Sequence, residues 1–214
     1  WQDWLHAAME RFDQLARRYH HVAVVGHSMG GALALTLAAR DRRVAGIATL
    51  CAPAEMHPAL PPLVRIGRHV VPYIPIISED ISDRVERRLY RQRKMAIWAP
   101  VAPIHTLMEA LPRVRAELAQ VICPALVVAA RRDHVVPMRD GLFVHQNIGS
   151  ADKELIILER SWHVVMRDVE RENISTRILA FLDRLTHRPP GVAHHVEQAD
   201  KSSPRSHELD EQYA

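Results

Sequence analysis

Two cysteines in 214 residues leave this chain without a disulfide framework. Cys51 closes one apolar run and Cys123 opens another. In a parallel sheet those points lie at opposite edges, beyond bridging distance, so both thiols should be free. Free thiols fit a reducing compartment, and the expected location is cytoplasmic. No stretch reaches the ~18 apolar residues that would span a bilayer. Charge of one sign is scarce as well: the net value is +3 with histidine neutral. The basic pairs Arg17-Arg18, Arg42-Arg43, Arg87-Arg88 and Arg131-Arg132 are scattered, without interleaved aromatics, so no nucleic-acid partner is expected. Metal-ligand spacing is also missing. The 14 histidines include the adjacent pairs His20-His21 and His194-His195, which have neither the i,i+4 nor the C-x-x-C spacing of a zinc site. We expect no metal and no cofactor.

What the chain does have is core. At 48% hydrophobic it can fold as one domain, or as one domain with an insertion. Residues 1–19 place Trp1, Trp4, Leu5, Ala8, Met9, Phe12, Leu15, Ala16 and Tyr19 on one helical face. Residues 22–26, VAVVG, read as a strand, 29–40 as a helix and 44–50, VAGIATL, as a second strand. Strand, helix and strand at this spacing make a right-handed βαβ unit in a parallel sheet. Both strands are apolar throughout, as when helices cover both faces.

The regularity breaks between residues 52 and 119, which hold nine prolines and no convincing strand. Helices are expected at 81–98 and 105–118, the second interrupted by Pro112. The two prolines of HVVPYIPII at 69–77 argue against a central strand. An insertion of this length reads as a lid whose apolar parts could line a pocket for a greasy substrate. Core order resumes with strand 125–130, helix 138–148, strand 153–158 and helix 167–185. Beyond Pro189-Pro190-Gly191 the chain is polar and should be disordered. The expected layout is a core segment 1–52, a helical lid 53–119, a second core segment 120–186 and a tail 187–214.

The chemistry centres on Gly26-x-Ser28-x-Gly30 between a strand and a helix, the nucleophile-elbow pattern. It holds a serine hydroxyl proud of the sheet on a strained, positive-φ turn. Positions 26 and 30 are therefore expected to tolerate almost no side chain. A serine needs a base and a group that orients the base. In a doubly wound sheet, functional residues gather at the C-terminal ends of strands. Ser28, Asp133 and His163 each follow a predicted strand, in the order Ser, Asp, His. Ser28 would attack, His163 would carry the proton and Asp133 would hold the imidazole. The Met29 N–H, at the start of a helix, would be one oxyanion donor. His27 should point away from the Ser28 hydroxyl, and His134 cannot lie between Asp133 and Ser28. His145, Asp140 and Asp168 fall on predicted helices and read as solvated charges.

The segments GHSMGG (26–31), TLCAP (49–53), ARRDHVVP (130–137) and SWHVVMRD (161–168) resemble the bacterial carboxylesterase and monoacylglycerol lipase group of serine α/β-hydrolases. The resemblance covers 1–185 and matches all three triad positions. It implies an α/β-hydrolase fold, a mostly parallel doubly wound sheet with a helical lid, and hydrolysis of short or medium acyl esters or monoacylglycerols without a cofactor. The partner is then a small ester or lipid substrate. Members of the group have strands ahead of the helix that opens this chain, and an H-G loop after one of them gives the second oxyanion N–H. No H-G follows a strand in residues 1–214, so the chain is expected to be an N-terminally incomplete record of a longer hydrolase. Two other readings remain: a thioesterase or acyltransferase on the same triad, and a binding module that has kept the elbow without a complete oxyanion hole.

Overall fold

The computed structural model describes residues 1–55, 73–75, 80–92 and 98–187. Residues 56–72, 76–79 and 93–97 of the expected lid and nearly all of the tail lie outside these. Among the described residues, four parallel strands form the main sheet: β1 (Val22–His27), β2 (Val44–Leu50), β5 (Ala125–Ala130) and β6 (Lys153–Leu158), in the order β1-β2-β5-β6. β5 is buried at every position because it is central and covered on both faces. β1 is the edge of this sheet, and its Val25 is 45% exposed.

Helices cover the sheet on two sides. α1 (Gln2–Ala16), α2 (Met29–Arg40), α4 (Val101–Glu117) and α5 (Met138–Asn147) share one cluster, in which Phe12, Leu35, Leu111 and Val144 meet Ile47 and Val127. On the other face α6 (Arg171–Thr186) packs Ile174, Ile178 and Phe181 against Ala48, Leu126 and Val128. This is the doubly wound arrangement, and successive residues of β2 and β5 feed opposite clusters, as strand alternation requires.

Several local expectations change. Tyr19 lies past the end of α1 and is 61% exposed, so the aromatic stripe packs through Phe12 instead. The Arg-rich helix α3 (Arg84–Gln92) starts three residues later than expected, and residues 93–97 of the expected helix lie outside the described residues. α4 runs unbroken through Pro112. Proline inside a helix costs about 3 kcal/mol, but Ala110, Leu111 and Val114 around it are all buried, and that packing holds the helix together. The insertion also contains strand: β3 (Tyr73–Pro75) pairs antiparallel with β4 (Trp98–Pro100) as a separate two-stranded ribbon. A ribbon of three-residue edges can accept proline where a central strand cannot.

Candidate active site

Residue 28 stands where β1 gives way to α2. Its φ of 54° and ψ of −122° place a non-glycine residue in strained backbone, as an elbow requires. Ser28 N–H donates to the Leu50 carbonyl (2.8 Å), and the Ser28 carbonyl accepts from Gly31 N–H (2.8 Å), so the bend is tied to β2 and to the helix it opens. The steric demand differs from expectation. A Cβ at Gly26 would overlap the Gly30 carbonyl, but one at Gly30 would meet nothing within 4 Å. The second crowded position is Gly31, where a Cβ would come within 2.6 Å of Ala52 Cβ. Met29 is the first residue of α2, so its N–H has no intrahelical acceptor.

The other two residues stand on loops after β5 and β6. His163 Nδ1 lies 2.8 Å from Asp133 Oδ2, with the Asp133 side chain fully buried and that of His163 only 9% exposed. Asp133 Oδ1 accepts N–H bonds from Val135 (2.8 Å) and Val136 (2.7 Å). Burial pushes this carboxyl up, but His163 and the two amides together hold it below its ordinary value. It is therefore ionised, and Nδ1 of His163 carries the proton between them. His27 also touches His163: its Nε2 lies 2.9 Å from the His163 carbonyl oxygen, and the two rings are 4.8 Å apart. Burial pulls the His27 pKa down, which favours the neutral ring.

Cys51 joins this group from the end of β2, with a φ of 48°. Its thiol, an Asp133 oxygen and a His163 nitrogen lie within 4.8 Å of one another. Burial, followed by the Asp133 charge, pushes the thiol pKa strongly up, so it stays protonated beside the carboxylate. These are also the three donors that come together as a metal would need, from three separate loops that no spacing rule connects; the Asp133 oxygen is already engaged by His163.

Comparison with known proteins identifies the family. The family described as "Serine aminopeptidase, S33" matches residues 1–170. The chain is 30% identical over 179 residues to a thermostable monoacylglycerol lipase of Bacillus sp. (strain H-257), covering 84% of this chain and 69% of the relative. The chain belongs to the α/β-hydrolases, in their esterase and monoacylglycerol lipase group. It is also 25% identical to a carboxylesterase of Bacillus subtilis (strain 168), covering 86% of this chain and 73% of that protein. A solved structure from work on the metagenome-derived lipolytic enzymes LipS and LipT superposes with a TM-score of 0.77 at 32% identity, covering 86% of this chain and 73% of that one.

Within this hydrolase, several residues around the site were not visible in the sequence. Asp168 and Asp140, expected as solvated helical charges, are buried. Asp168 precedes α6 and accepts five bonds: from the N–H groups of Ser82 and Trp162 (both 2.8 Å), Asp83 (2.9 Å) and Val169 (2.7 Å), and from the Ser82 hydroxyl (2.5 Å). Asp140 does lie on a helix, α5, but faces inward and accepts from Ala54 and Glu55 N–H (both 2.9 Å). His145 lies on α5, as expected. His134 points away from the Asp133–His163 pair, to Asp80 (Nδ1 to Oδ1, 2.6 Å). Glu170 receives Arg160 N–H, Ser161 N–H and the Ser161 hydroxyl, which closes the loop that leads to His163. Trp162 lies between Arg87, 4.8 Å over its ring, and the edge-on ring of His134. No helix among the described residues is long and apolar enough to cross a membrane.

Proposed function

We propose that this hydrolase cleaves carboxylic esters, short or medium acyl esters or monoacylglycerols, through an acyl-enzyme on Ser28. The observation that carries the reading is the buried Asp133–His163 bond, combined with a serine on a positive-φ elbow at a helix N-terminus. With Nδ1 protonated toward Asp133, His163 Nε2 is free to take the Ser28 proton as the hydroxyl oxygen attacks the acyl carbonyl. The tetrahedral oxyanion is met by the Met29 N–H at the start of α2, where the helix dipole adds to the hydrogen bond. Collapse breaks the ester bond, and the imidazolium gives its proton to the departing alcohol. Water repeats the sequence on the acyl-enzyme and releases the acid. Asp133 stays ionised throughout and stabilises the imidazolium. No cofactor enters this scheme.

The thermostable monoacylglycerol lipase and the carboxylesterase support an ester as the substrate class. On this reading residues 53–119 form a cap over the serine, and the two free cysteines fit a cytoplasmic setting. The test is hydrolysis of p-nitrophenyl esters of graded chain length, with a fluorophosphonate probe for the nucleophile. Ser28→Ala should lower kcat by about 10⁴-fold or more and abolish labelling. A folded wild-type chain that the probe does not label would overturn the reading.

A further inference from the structure

The proposed machinery draws on β1, β5 and β6, yet one carboxylate within the insertion touches two of the three loops. Asp80 Oδ2 accepts the N–H of His163 itself (2.9 Å) and the N–H of His134 (3.1 Å), the residue after Asp133. Its other oxygen lies 2.6 Å from His134 Nδ1, and its backbone carbonyl accepts Val164 N–H (3.0 Å). The Asp80 side chain is only 10% exposed, so water cannot readily replace these bonds. The neighbouring segment is fixed independently, because Ser82 and Asp83 donate to Asp168, which also receives Trp162 N–H. The carboxylate thus sits on a rigid support, and one of its oxygens spans the loop of the acid and the loop of the base.

We propose that Asp80 is a positioning residue of the hydrolase: it sets the separation of Asp133 and His163 by holding the backbone of both loops on one oxygen. The inference rests on the reading of Asp133 and His163 as acid and base. Its content is narrower than general stability, because the bonds that matter run to two backbone N–H groups and require an acceptor, not a charge. An asparagine can supply that acceptor. Its carbonyl oxygen can occupy the Oδ2 position while its amide donates to a neutral His134 Nδ1. Alanine supplies nothing, and a displacement of about 1 Å between base and acid costs ~10²-fold in rate.

The experiment compares Asp80→Asn, Asp80→Ala and His134→Ala in the full chain. The readouts are kcat and KM on a p-nitrophenyl ester, the pH–rate profile, and the low-field proton resonance of His163 Nδ1–H. Asp80→Ala should lower kcat ~10²-fold with KM within about threefold of wild type, and should broaden or shift the resonance. Asp80→Asn should restore kcat to within about fivefold, with the resonance and the pH midpoint in place, and His134→Ala should behave similarly. A folded Asp80→Ala chain with wild-type kcat and resonance overturns the proposal, as does Asp80→Asn damaged as badly as alanine, which would make the charge the active property. If Asp80→Ala does not fold, Asp80→Ser takes its place with an intermediate loss, since its hydroxyl can accept one bond. Failure of the serine variant to fold would make Asp80 a folding residue and also overturn the proposal. A wild type without esterase activity but with the resonance refutes the ester reading alone, and the resonance in the Asp80 variants still decides this one.

Discussion

The insertion is rooted on the core at residues 54–55 and again, part-way along its length, at 80–83, and a buried carboxylate holds each root. At the first root Asp140 is 1% exposed, and at the second Asp168 is 0% exposed. Their pKa values nevertheless move in opposite directions. Burial pushes both up. Against this Asp140 has the Glu55 and Ala54 amides and the nearby Arg139 charge, its Oδ1 has no hydrogen-bond partner among the described residues, and its pKa stays raised. Asp168 has five donors across both oxygens, and together they outweigh burial and bring it below its ordinary value. The difference teaches that the donors and charges around a buried carboxylate, and not its depth alone, set the direction in which its pKa moves. It also separates the roots by task. The root stapled by the saturated carboxylate is the one that carries Asp80 and contacts the His163 loop.

Placing the same substitution at both roots would break this comparison most directly. Asp168→Asn puts an amide donor against groups that are themselves donors. It should cost about 3 kcal/mol in urea unfolding and lower kcat as the His163 loop loosens. Asp140→Asn can keep both bonds on its carbonyl oxygen and put its amide at the Oδ1 position, which has no hydrogen-bond partner among the described residues, so it should stay within about 1 kcal/mol of wild type at pH 7. Equal losses would show that the two staples are equivalent.

Titration sharpens the contrast through its sign. The folded pKa of Asp140 lies above the ordinary 3.8, so the native state holds that proton longer than the unfolded chain. Its contribution to stability falls as pH rises from that value through the folded pKa, and the penalty is complete above it. The folded pKa of Asp168 lies below 3.8, so its contribution is complete above that value and is lost as pH falls through the folded pKa. Relative to wild type, Asp140→Asn should therefore gain stability as pH is raised from 4, whereas the loss in Asp168→Asn should shrink only in acid. Unfolding free energies measured across pH 3–8 check both signs. The smallest effect belongs to the ion pairs outside the staples. Arg115 pairs with Glu55 at the first root and Arg171 with Asp83 at the second, all partly exposed. Arg115→Ala and Arg171→Ala should each change stability by about 0.5 kcal/mol or less, and an asymmetry as large as that of the carboxylates would relocate the difference to the surface.

The parts of the molecule that the sequence made legible are those governed by local pattern. β1, α2 and β2 follow from apolar runs and a Gly-Ser turn, and β5 and β6 from runs of the same kind. The placement of Asp133 and His163 just after strands follows from the rule that loops at one sheet edge converge. Burial of a carboxylate is a different kind of fact. Asp140 and Asp168 look like solvated charges because their donors, at 54–55 and 82–83, lie some 85 residues away in the chain. Asp80 carries no local sign at all. The elbow glycines show the same limit: the motif names positions 26 and 30, but packing against Ala52 makes position 31, not 30, the second crowded one. The β3–β4 ribbon depends on pairing across residues 76–97, which no short window contains.

β2 and β5 are hydrogen-bonded neighbours, although residues 51–124 separate them in the chain. Bringing the ends of a segment together costs an entropy that grows only with the logarithm of its length, so doubling it adds about 0.6 kcal/mol. A lineage could therefore replace most of this segment with one of another size and chemistry at little expense to the sheet. What must be inherited intact are the two roots, because they anchor the segment to the core and the second also holds the backbone that presents His163. New substrate ranges can then arise by exchange of the interior between conserved attachment points, while the core keeps its chemistry unchanged.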